Sequence, residues 1–260
     1  MSPGLVNALA AESAPLAPLI QLLGQVHVSP TVRPASAPLC VSSGEARLLA
    51  FLALRPGETD RRTIAGTLWP DVDEARAAGN LRSALWRLNA MPTRLAIVTR
   101  SSAALLPEVH VDVELLGDWA ARMISGSYAV SDLAHVPWDV SGLEMLPGWH
   151  DDWIVLERER LRQRLLHALE VLAAALVDAG RCAEAIEVAL IAVRADSLRE
   201  SAQRALIGAH LAEGNWAEAR RCFCEHRDLL ARELGVSPTP SLTALVAVED
   251  ERHRPAGMVV

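Results

Sequence analysis

Gly180-Arg181-Cys182-Ala183-Glu184-Ala185 returns thirty-four residues later as Gly214-Asn215-Trp216-Ala217-Glu218-Ala219, and this recurrence constrains the fold more than any other feature of the chain. Leu172 and Leu206 keep the offset, as do Ala175 and Ala209. A glycine at the turn lets two helices run antiparallel, and small alanines let their backbones approach closely. One such hairpin cannot bury its own apolar face, so neighbouring hairpins must stack. From Val113 onward the periodicity is wholly helical. Helices are expected over 115–124, 149–179, 183–195, 198–213 and 216–234, with a last one near 242–249. The loop 125–147 is expected to be tacked onto the helical body by Trp138 and Leu143.

The first hundred residues follow a different rhythm. Residues 19–28 read as a strand interrupted by Gly24, and 39–41 as a short strand pairing back. Ser42 or Ser43 can cap a helix over 45–54, which Arg55-Pro56-Gly57 stops. A second helix starts near Thr59 or Asp60 and buries Ile64, Ala65, Leu68 and Trp69. Asp73 caps a third, which Met91-Pro92 ends. Residues 95–99 and 105–111 then read as two strands around Arg100-Ser101-Ser102. Strands, three helices and a terminal hairpin in this order make a winged helix-turn-helix. Its third helix is the one that enters a DNA major groove.

That helix, DEARAAGNLRSALWRL over 73–88, has two incompatible faces. At about 100° per residue, Ala77, Ala78, Leu81, Ala84, Leu85 and Leu88 form a core stripe. Arg76, Asn80, Ser83 and Arg87 fall within about 60° of one another on the opposite side. Arg pairs bidentately with guanine or clamps phosphate, Asn pairs with adenine, and Ser adapts to either. Arg82 joins them as a further basic side chain of the same helix.

Charge is split along the chain. Net charge is −7, yet residues 19–113 carry ten Arg against eight acids, a net of +2. Residues 114–260 carry fifteen Arg against twenty-three acids, a net of −8. A mildly basic module joined to an acidic one suggests that only the first faces nucleic acid, through aimed contacts and not a broad positive field. There is no Lys, which removes Schiff-base chemistry and a Walker A lysine. The eight His are scattered, and no GxSxG, HExxH or GxxxxGK occurs. Cys40, Cys182, Cys222 and Cys224 show no disulfide or zinc-finger spacing; Cys222 beside His226 reads as a buried thiol next to a surface imidazole. Glu157 and Arg158 read as structural charges on a helix, and Trp149 and Trp153 as core. No enzyme activity, cofactor or metal is expected. No apolar run approaches the ~18 residues of a membrane span, and a cytoplasmic, nucleoid-associated protein is expected.

The run RPGETDRRTIAGTLWPD followed by ARAAGNLRSALWRL resembles the DNA-binding half of the actinobacterial antibiotic-regulatory (SARP) activators. The resemblance implies base or phosphate contacts for Arg76, Asn80, Ser83 and Arg87, and phosphate contacts for Arg61, Arg62 and Arg100. It departs in the wing, where Ser101-Ser102-Ala103-Ala104 replaces the family's usual Gly-Tyr pair. The segments from Leu146 to Ala173 and from Leu198 to Leu245 closely resemble the bacterial transcriptional activation domain (BTAD) of the same activators. Trp153, Glu157-Arg158, Leu161 and the exit Glu233-Leu234-Gly235-Val236-Ser237-Pro238 are the most specific parts. Two departures are Ala195-Asp196-Ser197 in place of an Asp-Pro pair and Cys222-Phe223 where Tyr is common.

The expected architecture is mainly α, an N-terminal winged helix-turn-helix (α+β) followed by an all-α tetratricopeptide-like domain. The divisions are a disordered leader over 1–18, the winged helix over 19–112, the helical-repeat domain over 113–250 and a flexible tail over 251–260. The expected function is a sequence-specific activator of a secondary-metabolite gene cluster. Residues supply the reader helix, the charge split and the repeats. The resemblance implies the cluster, promoter direct repeats, RNA polymerase (sigma factor region) and a homodimer on DNA. The alternative is a helical-repeat protein–protein adaptor whose winged helix no longer binds DNA.

Overall fold

A computed structural model of the chain describes residues 6, 9–10, 17–31, 39, 41–134 and 144–252. Trp138 and Leu143 of the expected loop, and most of the tail, lie outside the described residues. The chain forms two compact units. The first holds the sequence through Asp118 and the return from Glu144 to Arg162; the second holds residues from Trp119 and from Gln163 onward.

In the first unit, β1 (Leu19–Gln21) and β2 (His27–Ser29) are an antiparallel hairpin turning at Gly24, not one interrupted strand. Gly24 adopts φ 79°, a left-handed conformation that reverses the chain there. Leu39 pairs back on Val28, as its sequence suggests. The helices are α1 (Ser43–Ala53), α2 (Arg61–Leu68) and α3 (Glu74–Asn89), with α1 and α2 both packing on α3. Asp60 caps α2 by accepting from the Arg62 and Thr63 amides, and Asp73 caps α3 through the Arg76 amide. Thr59–Asp60 is itself a short strand, β3, on the edge of the wing sheet. The wing strands are β4 (Ala96–Val98) and β5 (Ser102–Leu105). The second wing strand therefore lies earlier than the expected 105–111. Val111 belongs instead to β6 (His110–Val111), which pairs in parallel with β1.

In the leader, Val6, Leu9 and Ala10 are helical and buried, at the i, i+3, i+4 spacing that places three apolar side chains on one helical face. The residues after Glu144 also belong to this unit, for a physical reason. The Leu146 amide donates to the Leu22 carbonyl at 2.9 Å and the Gly24 amide to the Glu144 carbonyl at 2.8 Å. Leu146 is strained at φ 47°. Arg158 holds that turn by donating to the carbonyls of Met145, Leu146 and Trp149 at 2.7, 2.6 and 2.9 Å. Trp153 meets Phe51 edge-on at 5.4 Å between ring centroids. Trp149 and Trp153 are thus packing residues, and Arg158 is structural through carbonyls instead of an ion pair. Glu157 pairs with Arg160 at 2.9 Å on the surface.

Four further helices are α4 (Asp112–Ser125), α5 (Asp152–Asp178), α6 (Cys182–Ala195) and α7 (Glu200–Glu213). They are followed by α8 (Trp216–Leu234) and α9 (Pro240–Arg252). In the second unit α6 packs on α7, α7 on α8, and α9 on both α7 and α8. The repeat is reproduced to the hydrogen bond. Gly180 and Gly214 take φ 74° and 82°. The Arg181 amide donates to Leu176 and the Asn215 amide to His210, both at 2.8 Å, so equivalent carbonyls are closed by equivalent amides. Arg199 joins the α6–α7 connection to α5 through Glu170 at 2.5 Å, both side chains largely buried. Trp119 is fully buried, and its indole N–H donates to the Asp132 carbonyl at 3.3 Å. His226, expected at the surface, is buried; it faces inward on α8, and burial lowers its imidazole pKa.

Candidate nucleic-acid interface

The wing, α2 and α3 enclose a concave surface of about 630 Å³. Arg61 and Arg62 enter it from the first turn of α2, Arg82 from α3, and Arg100 from the wing. Trp69, Val72, Ala77 and Leu81 form its apolar floor, and Glu74 is its one carboxylate. Four of the eight candidate residues are therefore brought to one groove by three separate elements.

Local chemistry explains each position. The wing turns over Arg100-Ser101 alone, because the Thr99 amide donates to the Ser102 carbonyl and the Ser102 amide to Thr99 Oγ1, both at 2.9 Å. The Ser102 hydroxyl then donates to Glu58 at 2.8 Å. Ser102, Ala103 and Ala104 are buried sheet residues, so the exposed tip of the wing is Arg100-Ser101. The Arg61 amide donates to the Ser101 carbonyl at 2.8 Å, tying the start of α2 to the wing. Arg62 is gripped by Glu74 at 2.6 and 2.9 Å, which raises its pKa further. Both side chains stand in solvent, where water screens the pair. A phosphate can displace that carboxylate at little cost.

The other four candidates lie on α3. Taking about 100° per residue, Asn80 and Arg87 stand on one flank, roughly 85° and 105° from the centre of the buried stripe, and Arg76 and Ser83 lie further round at roughly 125° and 145°. Asn80 is half-buried accordingly, while Arg76 is exposed. Gly79 and Trp86 lie most nearly opposite the stripe, at roughly 175° and 155°, while Arg82 stands on the other flank, toward the groove. Ser83 is exposed, and its hydroxyl donates back to the Gly79 carbonyl at 3.1 Å, leaving the oxygen's lone pairs outward. Arg87 is partly engaged within the fold. Its Nε lies 3.2 Å from Glu45 Oε1, while Glu45 Oε2 accepts from the Ser42 amide at 2.8 Å to close the α1 capping box. Trp86 was missed as a candidate. Its angular position is calculable from the sequence, but its exposure is seen only once the other elements are packed.

Asp112, the first residue of α4, lies away from this groove and is buried. It accepts from the amides of Leu22, Leu23 and Val113 at 2.8–2.9 Å. Burial nevertheless pushes its carboxyl up to about 6, against the pull of those amides. Among the described residues no group of His, Cys, Asp and Glu is arranged to hold a metal ion. No described helix is long and apolar enough to cross a membrane.

Comparison with known proteins places residues 129–248 under the family model of the bacterial transcriptional activator domain. The regulatory protein AfsR of Streptomyces griseus is 29% identical over 228 residues, covering 80% of this chain and 23% of AfsR. AfsR of Streptomyces coelicolor is 30% identical over 207 residues, covering 76% of this chain and 21% of AfsR. The chain thus spans under a quarter of the length of these curated relatives. A structure of Mycobacterium tuberculosis EmbR in complex with a low affinity phosphopeptide shares the fold, with a TM-score of 0.65 at 18% identity. That match covers 91% of this chain and 65% of EmbR.

Proposed function

This chain belongs to the SARP-type transcriptional activators, a winged helix followed by a BTAD, and on that premise we propose that it binds promoter DNA through α3 and the groove beside it. The observation that carries the reading is the convergence of Arg61, Arg62, Arg82 and Arg100 beside a helix that has no carboxylate from Ala75 to Ala90. Arg61, Arg62 and Arg100 take phosphates, and Arg82 bridges the groove and the outer face of α3. Arg76, Asn80 and Ser83 meet base edges. Arg87 holds α3 against the start of α1 and presents its free guanidinium edge to the same duplex. Two copies bind a direct repeat as a homodimer, and the helical domain engages RNA polymerase near its sigma factor. The protein acts in the cytoplasm, at the nucleoid, on a secondary-metabolite gene cluster, and catalyses no reaction.

A footprint of the purified chain on the DNA upstream of its own gene tests this. Two equally spaced protected half-sites are expected, with affinity falling steeply as salt rises. Each Arg→Ala change in the groove should reduce the log–log salt slope by about one. Protection nowhere, even at low salt, would move the protein to the adaptor reading.

A further inference from the structure

Trp86 has no part in the contacts assigned so far. Its indole is 73% exposed, and it is the one aromatic among the exposed large hydrophobic side chains of the described residues. It stands on α3 roughly 155° from the centre of the core stripe at about 100° per residue. Arg82 and Ser83 are its neighbours one turn earlier on that outer face, and Gly79 lies a further turn back. An exposed indole on a soluble helix gains nothing for folding. Its surroundings define what could cover it. A docking surface for another protein would gather several apolar side chains, whereas the positions around Trp86 are Arg82, Ser83 and Asn89 on α3 and Ala90 at its C-cap. The segment is cationic and lacks a carboxylate, so the complementary surface is anionic with an isolated apolar feature.

The DNA major groove has that character. Thymine presents a C5-methyl group there, flanked by base-edge acceptors and two phosphate backbones. We propose that Trp86 reads a thymine methyl group in each half-site, adding an apolar specificity contact to the polar contacts of α3. The indole face covers the methyl, and the indole N–H is free to donate to an adjacent base acceptor. The absence of a side chain at Gly79, where a Cβ would meet only the tip of Arg82 at 3.7 Å, leaves the outer face low enough for the helix to enter deeply. This inference rests on the DNA-binding reading above, and its test separates the two.

The full chain is used to select its preferred duplex from a random library, and each thymine is then replaced singly by uracil, which removes only the methyl. The parent should lose about fivefold in affinity at one position per half-site. Trp86→Ala should bind the thymine duplex about that much more weakly and be indifferent to uracil at that position, with its thermal unfolding unchanged. Trp86→Phe should keep part of the discrimination. If Trp86→Ala keeps the parent's affinity and uracil profile, the inference is overturned. It is equally overturned if the variant weakens binding uniformly while still sensing every methyl the parent senses. A parent chain that selects no duplex overturns the DNA-binding reading itself.

Discussion

Arg87 shows how one side chain can serve fold and site together. Its pairing with Glu45 ties the last turn of α3 to the first turn of α1. Arg87→Ala should therefore lower stability by about 0.5–1 kcal/mol, since the pair is half-exposed, and should weaken DNA binding as well. Arg76→Ala, by contrast, removes an exposed side chain whose structural role ends at its capped amide. Its unfolding transition should stay within about 0.5 kcal/mol of the parent's, while specific binding falls by about 1–3 kcal/mol. Denaturant titration beside operator binding distinguishes the two, and equal effects of both variants on stability would contradict the assignment. Glu74→Gln releases Arg62 and removes the one carboxylate of the groove. Nonspecific DNA affinity should rise several-fold at low salt, as seen by anisotropy titration. Helix stability should drop by about 0.3–1 kcal/mol, because an acid leaves the first turn.

At the scale of elements, α3 is a compromise between stability and reach. Gly79 sits mid-helix at ordinary helical geometry, where alanine is favoured by about 0.5–1 kcal/mol. Gly79→Ala should raise the thermal midpoint, and a bulky Gly79→Leu should leave the fold intact while blocking groove entry. The helical repeat depends on glycine in another way. Gly214 closes the α7–α8 turn at φ 82°, a conformation costing L-residues about 1–2 kcal/mol. Gly214→Ala should destabilise the second unit by that amount without changing the first, which hydrogen exchange resolved by segment would report.

For the molecule as a whole, the two units should respond to acid in opposite directions. The Asp112 carboxyl, raised to about 6 by burial, takes up its proton more readily in the folded than in the unfolded state. The first unit therefore gains stability as pH falls through 6 toward the unfolded value near 4, on the order of 2–3 kcal/mol. His226, held below its ordinary range by burial, resists the proton that the unfolded chain accepts. The second unit therefore loses stability once pH falls below about 6.5. Exchange protection followed from pH 7.5 to 5 should rise around β1 and fall around α8. Asp112→Ala should abolish the first trend while weakening the β1–β2 hairpin that the carboxylate closes.

Much of this was legible in the chain alone. The thirty-four-residue offset at Gly180 and Gly214 determined helical hairpins, because a left-handed turn and close helix contact are demanded locally. The caps at Asp60 and Asp73 were equally local, since a side-chain oxygen two or three residues before an amide needs no tertiary partner to reach it. What lay beyond the sequence were the pairings between distant segments. β3 forms because Thr59 meets Ala103, and residues 144–158 return to the first unit where Leu22 and Gly24 offer them backbone partners and Phe51 meets Trp153. The groove belongs to the same class. Arg61, Arg82 and Arg100 are candidates in sequence, but only packing α2, α3 and the wing together makes their charges converge. Helical periodicity gave α3 its faces, but which of them remains uncovered depends on neighbours that no local pattern specifies.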